Sequence, residues 1–267
     1  MIKMIALDLD ATLLTSDKRI SDFNTRVLKK LHAAGVRVVI CTGRPISVIQ
    51  NYIDQLGVVG ATDYTITFNG ALVINNKTRH PLFKSGLTKA DFEPIYNFAK
   101  RAQLPLNILD FDSIYELTEL APSMYHTIMK ADVKFIPKTF QTLPSDQQYS
   151  KAIMSTTPDK LDAARDGFNN QGAYHIVRSQ PKILEFIAPH MNKAVGLKAL
   201  LDHYGWTFAN LMAFGDAEND LEMIEAAGVG VAMQNGQPEV KRIADQETQF
   251  DNDHDGVGQF LANYFKL

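Results

Sequence analysis

The sequence predicts an α/β fold: a parallel sheet with helices on its faces, interrupted by a large inserted α/β segment. Three observations carry this expectation. Short apolar runs alternate with helically spaced apolar residues at the start of the chain, the pattern changes in the middle, and the first pattern returns from residue 193 onward. With 267 residues, 45% of them apolar and 21% charged, the chain can bury a substantial core in one or two domains.

Residues 2–7 are nearly continuous apolar sequence and read as a buried first strand, too short for a signal peptide or a membrane span. After a polar loop, Phe23, Val27, Leu28 and Leu31 recur at helical spacing and stop at Gly35. Residues 36–41 form a second run rich in β-branched side chains. Pro45 can then open a helix carrying Ile46, Ile49, Tyr52, Ile53 and Leu56, which Gly57 closes.

In the middle of the chain, strands are expected at 106–109, 125–129, 152–154 and 182–187, with helices near 89–102 and 160–169. The Pro, Ser and Gln cluster at 142–150 reads as a surface loop. Helix 194–204, strand 211–214, helix 220–227, strand 229–232 and helix 258–265 complete the first pattern. The simplest layout is a core of residues 1–82 and 190–267 interrupted by residues 83–189. No internal repeat or low-complexity tract is visible.

A net charge of -3 offers no broad cationic field for a nucleic-acid polymer or an anionic membrane, so a small-molecule partner is expected. Cys41, the single cysteine, rules out an intramolecular disulfide and points to a reducing, cytoplasmic setting. Inside an apolar run it reads as a buried structural thiol. The histidines lack metal-like spacing, and residues 251–256 (Asp-Asn-Asp-His-Asp-Gly) read as a polar turn rather than a calcium loop, because the full ligand pattern is missing.

In an open parallel sheet, ligands gather beyond the carboxyl ends of the strands, and several polar segments fall there. Asp8-Leu9-Asp10 follows the first strand, its carboxylates free either to share a face or to diverge; alone, such a pair is common in turns. Thr42-Gly43-Arg44-Pro45 follows the second strand with a hydroxyl, a flexible glycine and a cation, suited to an anion or simply to a strand-to-helix turn. Gly215-Asp216-Ala217-Glu218-Asn219-Asp220 offers hard oxygen ligands of the kind Mg²⁺ prefers, or a capped helix start. Lys193, at the start of a predicted helix, means little by itself.

Together, in this order, the four segments resemble the haloacid dehalogenase (HAD) superfamily of phosphohydrolases, in particular its Cof-type sugar-phosphatase branch, along essentially the whole chain. The resemblance implies a Rossmann-like core with residues 83–189 as an α/β cap that contributes specificity. It maps the nucleophile onto Asp8, the general acid/base onto Asp10, the phosphate-binding threonine onto Thr42 and the lysine onto Lys193. The acidic metal motif falls on Gly215, Asp216, Asn219 and Asp220. Asp8, Asp10, Asp216 and Asp220 bring four carboxylates against one lysine, which calls for a cation; Mg²⁺ on the Asp8 and Asp216 carboxylates and the Asp10 carbonyl is expected. Asp220 is expected to orient Lys193, and Arg44, Asn69 and Gly70 are candidates either for substrate contact or for local turns. One departure stands out: Ala11 occupies the place of a family glycine.

The expected activity is Mg²⁺-dependent hydrolysis of small phosphorylated metabolites, sugar phosphates first, by a monomer or homodimer. A phosphosugar mutase and a noncatalytic phosphometabolite-binding protein are the alternatives.

Overall fold

A computed structural model describes residues 1–129, 134–189 and 191–267. It divides into two compact units, residues 1–84 with 192–267, and residues 85–191.

The first unit begins with β1 (Met4–Leu7), α1 (Asp22–Ala33), β2 (Arg37–Ile40) and α2 (Gln50–Leu56). Ser21 caps α1 by accepting from Asn24 N at 3.0 Å, and the turn after it passes through Gly35 at φ 93°, a region open to glycine. The helix expected from Pro45 is split: a 3₁₀ turn at Ile46–Val48 precedes α2. An antiparallel meander follows, β3 (Tyr64–Thr67), β4 (Leu72–Asn75) and β5 (Pro81–Lys84), so Phe83 and Lys84 belong to this unit rather than to the insert.

The second unit contains α3 (Glu93–Arg101), β6 (Asn107–Leu109), β7 (Ile114–Leu117), α4 (Tyr125–Ile128), β8 (Phe135–Lys138), β9 (Lys151–Met154), α5 (Pro158–Gly167), β10 (His175–Gln180) and β11 (Ile183–Ile187). Its sheet runs β10-β11-β9-β6-β7-β8, with every neighbouring pair antiparallel except β7 and β8. The strand expected at 125–129 is instead the helical turn α4. Tyr125, Ile128 and Met129 stand at i, i+3 and i+4, and in that form all three pack in one cluster with Leu109, Ile114 and Ile153. The Ser123 hydroxyl supports the turn by accepting from Tyr125 N at 3.2 Å.

The chain then returns to the first unit as α6 (Lys193–His203), β12 (Leu211–Gly215), α7 (Leu221–Ala226), β13 (Val229–Ala232), α8 (Pro238–Ile243), β14 (Gln246–Glu247) and α9 (Gly256–Phe265). Among the described residues the main sheet of this unit is all parallel, in the order β14-β13-β12-β1-β2. The expected boundary at residue 190 lies outside the described residues.

Period-two alternation explains the continuous apolar strands. Ile5, Leu7, Val38, Ile40, Met212 and Phe214 face one cluster, filled by α1, α2 and α9; Met4, Ala6, Val39, Leu211 and Ala213 face the other, filled by α6, α7 and α8. Each aliphatic side chain buried this fully stabilises the unit by about 1.5–3 kcal/mol. The sheet is thereby rigid, and the loops leaving the carboxyl ends of β1, β2 and β12 start from fixed points.

Candidate active site

Asp8 follows the last residue of β1, its N–H donating to Phe214 O at 3.1 Å across the sheet. The next turn is tight because Leu9, Leu13 and Leu14 are all fully buried, and Leu14 N returns to Leu9 O at 2.8 Å. That anchoring settles the question left open by Asp-x-Asp: the two carboxylates diverge. Asp8 turns inward to Lys193, while Asp10 remains partly exposed and accepts from Arg44 Nη2 at 2.6 Å, Arg44 Nε at 2.8 Å and Lys18 Nζ at 2.7 Å.

Lys193 opens α6, whose N-cap Asn192 accepts from Val195 N at 3.2 Å. Its ammonium is fully buried, donating to Asp8 Oδ1 and, at 2.6 Å, to Asp220 Oδ1. Asp220 Oδ2 accepts from Asp216 N at 2.9 Å and Ala217 N at 3.1 Å, so both of its oxygens are engaged. Thr12, which sequence reading left without a role, donates to Asp216 Oδ1 at 2.8 Å and orients that carboxylate. Its place inside the Asp8–Leu14 segment was the only available signal.

Burial raises the Asp8 carboxyl, against the lowering effect of Lys193, and the Asp220 and Asp216 charges add to the rise. Burial, with Asp220 nearby, pushes Asp216 up to about 6. Burial would lower the Lys193 ammonium, but the Asp220 and Asp8 charges outweigh it and leave it raised, firmly protonated. At Asp10, desolvation is overcome by the Arg44 and Lys18 hydrogen bonds, which hold its carboxyl below the usual value.

The residues fit a hard divalent cation. Carboxylate oxygens of Asp8, Asp216 and Asp220 lie within 4.8 Å of one another, and Lys193 alone does not offset the cost of ionising Asp8 and Asp216. Since Asp220 is spent on Lys193 and two backbone amides, Asp8 and Asp216 are the carboxylates left to ligate.

Thr42 is buried at the end of the second strand; its hydroxyl oxygen accepts from Arg44 N at 3.2 Å, and its carbonyl accepts from Asn69 N at 3.1 Å. Asn69, at φ 54°, accepts from Asn219 Nδ2 at 3.3 Å, which joins the turn after β3 to the acidic motif. Gly70 is placed by packing: a Cβ there would lie 2.0 Å from Asn192 O, so only glycine admits the start of α6. Ala11 has φ 57°, the left-handed conformation that explains a glycine preference. Cys41 is buried, its thiol raised by desolvation and thus unreactive. The acids of 251–255 are spent on local structure, Asp251 on the amides of Asp253 and His254, Asp253 on Ser16 and Asp255 on Ser21.

A family model of haloacid dehalogenase-like hydrolases matches residues 5–261. The chain belongs to that family. It is similar to "Putative phosphatase YxeH" of Bacillus subtilis, 32% identical over 95% of each chain. It is also similar to 5-amino-6-(5-phospho-D-ribitylamino)uracil phosphatase YitU of the same organism, 32% identical over 99% of this chain and 98% of the relative. Among solved structures, a haloacid dehalogenase-like hydrolase from Bacteroides thetaiotaomicron matches with a TM-score of 0.86 and 30% identity over 99% of this chain and 100% of the other. This HAD protein is accordingly a hydrolase acting on phosphate esters, with the α/β core and cap of its family. Among the described residues, no helix is long and apolar enough to cross a membrane.

Proposed function

We propose that the protein is a Mg²⁺-dependent cytoplasmic phosphatase of small phosphorylated metabolites, sugar and sugar-alcohol phosphates foremost, working through an aspartyl-phosphate on Asp8. The observation that carries this reading is the buried Asp8–Lys193–Asp220 chain beside Asp216 at the carboxyl ends of β1 and β12. Lys193 favours the ionised, nucleophilic form of Asp8 even though burial opposes it.

An Asp8 carboxylate oxygen attacks phosphorus and the bond to the leaving oxygen breaks; Asp10, which takes up a proton from solvent as Arg44 leaves it for the phosphoryl group, supplies the proton that this oxygen takes up. Asp10 then accepts a proton from water, whose oxygen attacks the same phosphorus and releases phosphate and the Asp8 carboxylate. The Thr42 oxygen already accepts from Arg44 N, so its hydrogen is available to a phosphoryl oxygen, and Lys193 offsets charge on the transferring group. Asp8, Asp216 and the Asp10 carbonyl would hold Mg²⁺, with Asn219 and Asp220 in support. When bound, the ion neutralises the carboxylates and orients the phosphoryl group.

Arg44 and Asn69 are substrate-contact candidates, with Gly70 shaping the same turn. The inserted unit, residues 85–191, contributes the substrate specificity. The relative named for a phosphorylated ribityl chain supports an alditol or sugar phosphate as substrate class. The test is phosphate release from a panel of sugar phosphates, nucleotides and an aryl phosphate, with Mg²⁺ or EDTA. Turnover is expected only with Mg²⁺ and is abolished by Asp8→Asn; isomerised sugar phosphate without phosphate release would establish a mutase instead.

A further inference from the structure

Lys18 lies outside every motif discussed above, yet its ammonium reaches Asp10 from a loop built to present it. Thr15 N donates to Arg19 O at 2.9 Å and Lys18 N to Thr15 O at 2.8 Å, which closes the loop on itself. Asp253 clasps Ser16 through its amide at 2.7 Å and its hydroxyl at 2.6 Å. The Tyr52 hydroxyl donates to Lys18 O at 2.9 Å. Lys18 itself has φ 59°, a conformation a lysine adopts only where its surroundings enforce it.

The two oxygens of Asp10 are held differently. Oδ1 accepts from both Lys18 Nζ and Arg44 Nη2, whereas among the described residues Oδ2 accepts from Arg44 Nε alone. Arg44 stands two residues after Thr42, and its fork suits a phosphate as well as a carboxylate, so a dianionic substrate competes with Asp10 for it. Once Arg44 turns away, Oδ2 has no partner among the described residues while Oδ1 keeps Lys18.

We propose that Lys18 is a positioning residue for Asp10: it anchors Oδ1 so that Oδ2 stays directed to the leaving oxygen after Arg44 transfers to the substrate. This rests on the reading of Asp10 as acid/base. An exposed Lys–Asp pair contributes little to stability, so the effect of losing it belongs to the chemical step.

The experiment compares kcat/KM for a hexose 6-phosphate, whose alkoxide needs a proton, with that for 4-nitrophenyl phosphate, whose phenolate leaves without one. Since kcat/KM covers steps only through departure of the leaving group, hydrolysis of the aspartyl-phosphate does not enter. Lys18→Met is expected to lower the hexose value about tenfold or more and the aryl value less than about twofold, with an unchanged melting temperature and recovery in Lys18→Arg. Should Lys18→Met not fold, Lys18→Gln reads the same ratio. An equal loss on both substrates would make Lys18 a phosphoryl-binding cation and overturn the proposal, as would no loss on either. Asp10→Asn separates the two readings: if it leaves the hexose-to-aryl ratio unchanged, the acid/base assignment falls. If it lowers the ratio while Lys18→Met does not, only the Lys18 assignment falls.

Discussion

Ala11 at φ 57° makes a quantitative prediction about the loop that carries the candidate acid/base. A residue with a Cβ in the left-handed region costs roughly 1–2 kcal/mol, and Ala11→Gly removes that cost. Glycine also loosens the unfolded chain, which returns about 0.4–1 kcal/mol, so the net expectation is stabilisation by roughly 0.5–1 kcal/mol. The conformation itself is held from outside, since Asn235 Nδ2 donates to Ala11 O at 2.7 Å, so the variant keeps the same loop. Urea unfolding followed by Trp206 fluorescence suits the measurement, because this single tryptophan lies in the unit that contains residue 11. In a unit of this size the gain corresponds to a melting shift of roughly 1–4 °C. Ala11→Val, β-branched at the same φ, shifts stability the other way by about 1 kcal/mol or more. A loss of stability in Ala11→Gly would refute the account, because it would mean that Ala11 is not strained in its loop.

Lys193→Met leaves Asp8 and Asp220 buried without their shared cation and is expected to cost about 3–5 kcal/mol in urea unfolding at neutral pH; Lys193→Met with Asp220→Asn should cost less than the two changes summed. Gly70→Ala, with its Cβ 2.0 Å from Asn192 O and φ 97°, should destabilise by about 2 kcal/mol or more and reduce activity through displacement of Lys193, a result that thermal melts and turnover together would show. The Asp216 carboxyl, raised from 3.8 to about 6, stabilises the metal-free fold fully below pH 3.8 and loses that contribution as pH rises through about 6. Mg²⁺ binds the ionised carboxylates of Asp216 and Asp8, so the melting shift it produces should grow from about pH 4 through 6 and on towards about 8, where Asp8 lies; a shift independent of pH would exclude both as ligands.

The inner strands of the sheet were legible because they are buried on both faces, whereas the exposed two-residue β14 gave no such signal. Residues 2–7 and 36–41 read as buried strands, and Val27, Leu28 and Leu31 as an inward helix face. The insert was harder because short segments there meet two periods at once. At 125–129 a continuous apolar reading suggested a strand, whereas the spacing of Tyr125, Ile128 and Met129 was helical and tertiary packing followed the spacing. β7, β8 and β10 carried no clear signal either: Glu116, Lys138 and Arg178 interrupt them, and none presents an unbroken apolar run.

The site shows the same division between what a motif names and what packing decides. Four aspartates read alike in the sequence, yet each has a different environment. Asp8 is buried against an ammonium, Asp10 is held outward by two cations, Asp216 is oriented by Thr12, and Asp220 spends both oxygens on Lys193 and the amides of its own turn. The buried leucines explain the first split, because Leu9, Leu13 and Leu14 turn the chain sharply enough to send Asp8 and Asp10 apart. The backbone at Gly215 explains the second: a Cβ there would fall 2.4 Å from the Asp220 Cβ, so glycine lets Asp220 fold back under the turn and cap it. A carboxylate that closes its own turn and grips the lysine holds both in place before any ligand arrives. Asp8 and Asp216 are thereby left with oxygens to spare, and it is their burial beside the Asp220 charge, not the number of acids, that makes ionising both costly and suits the pair to a cation.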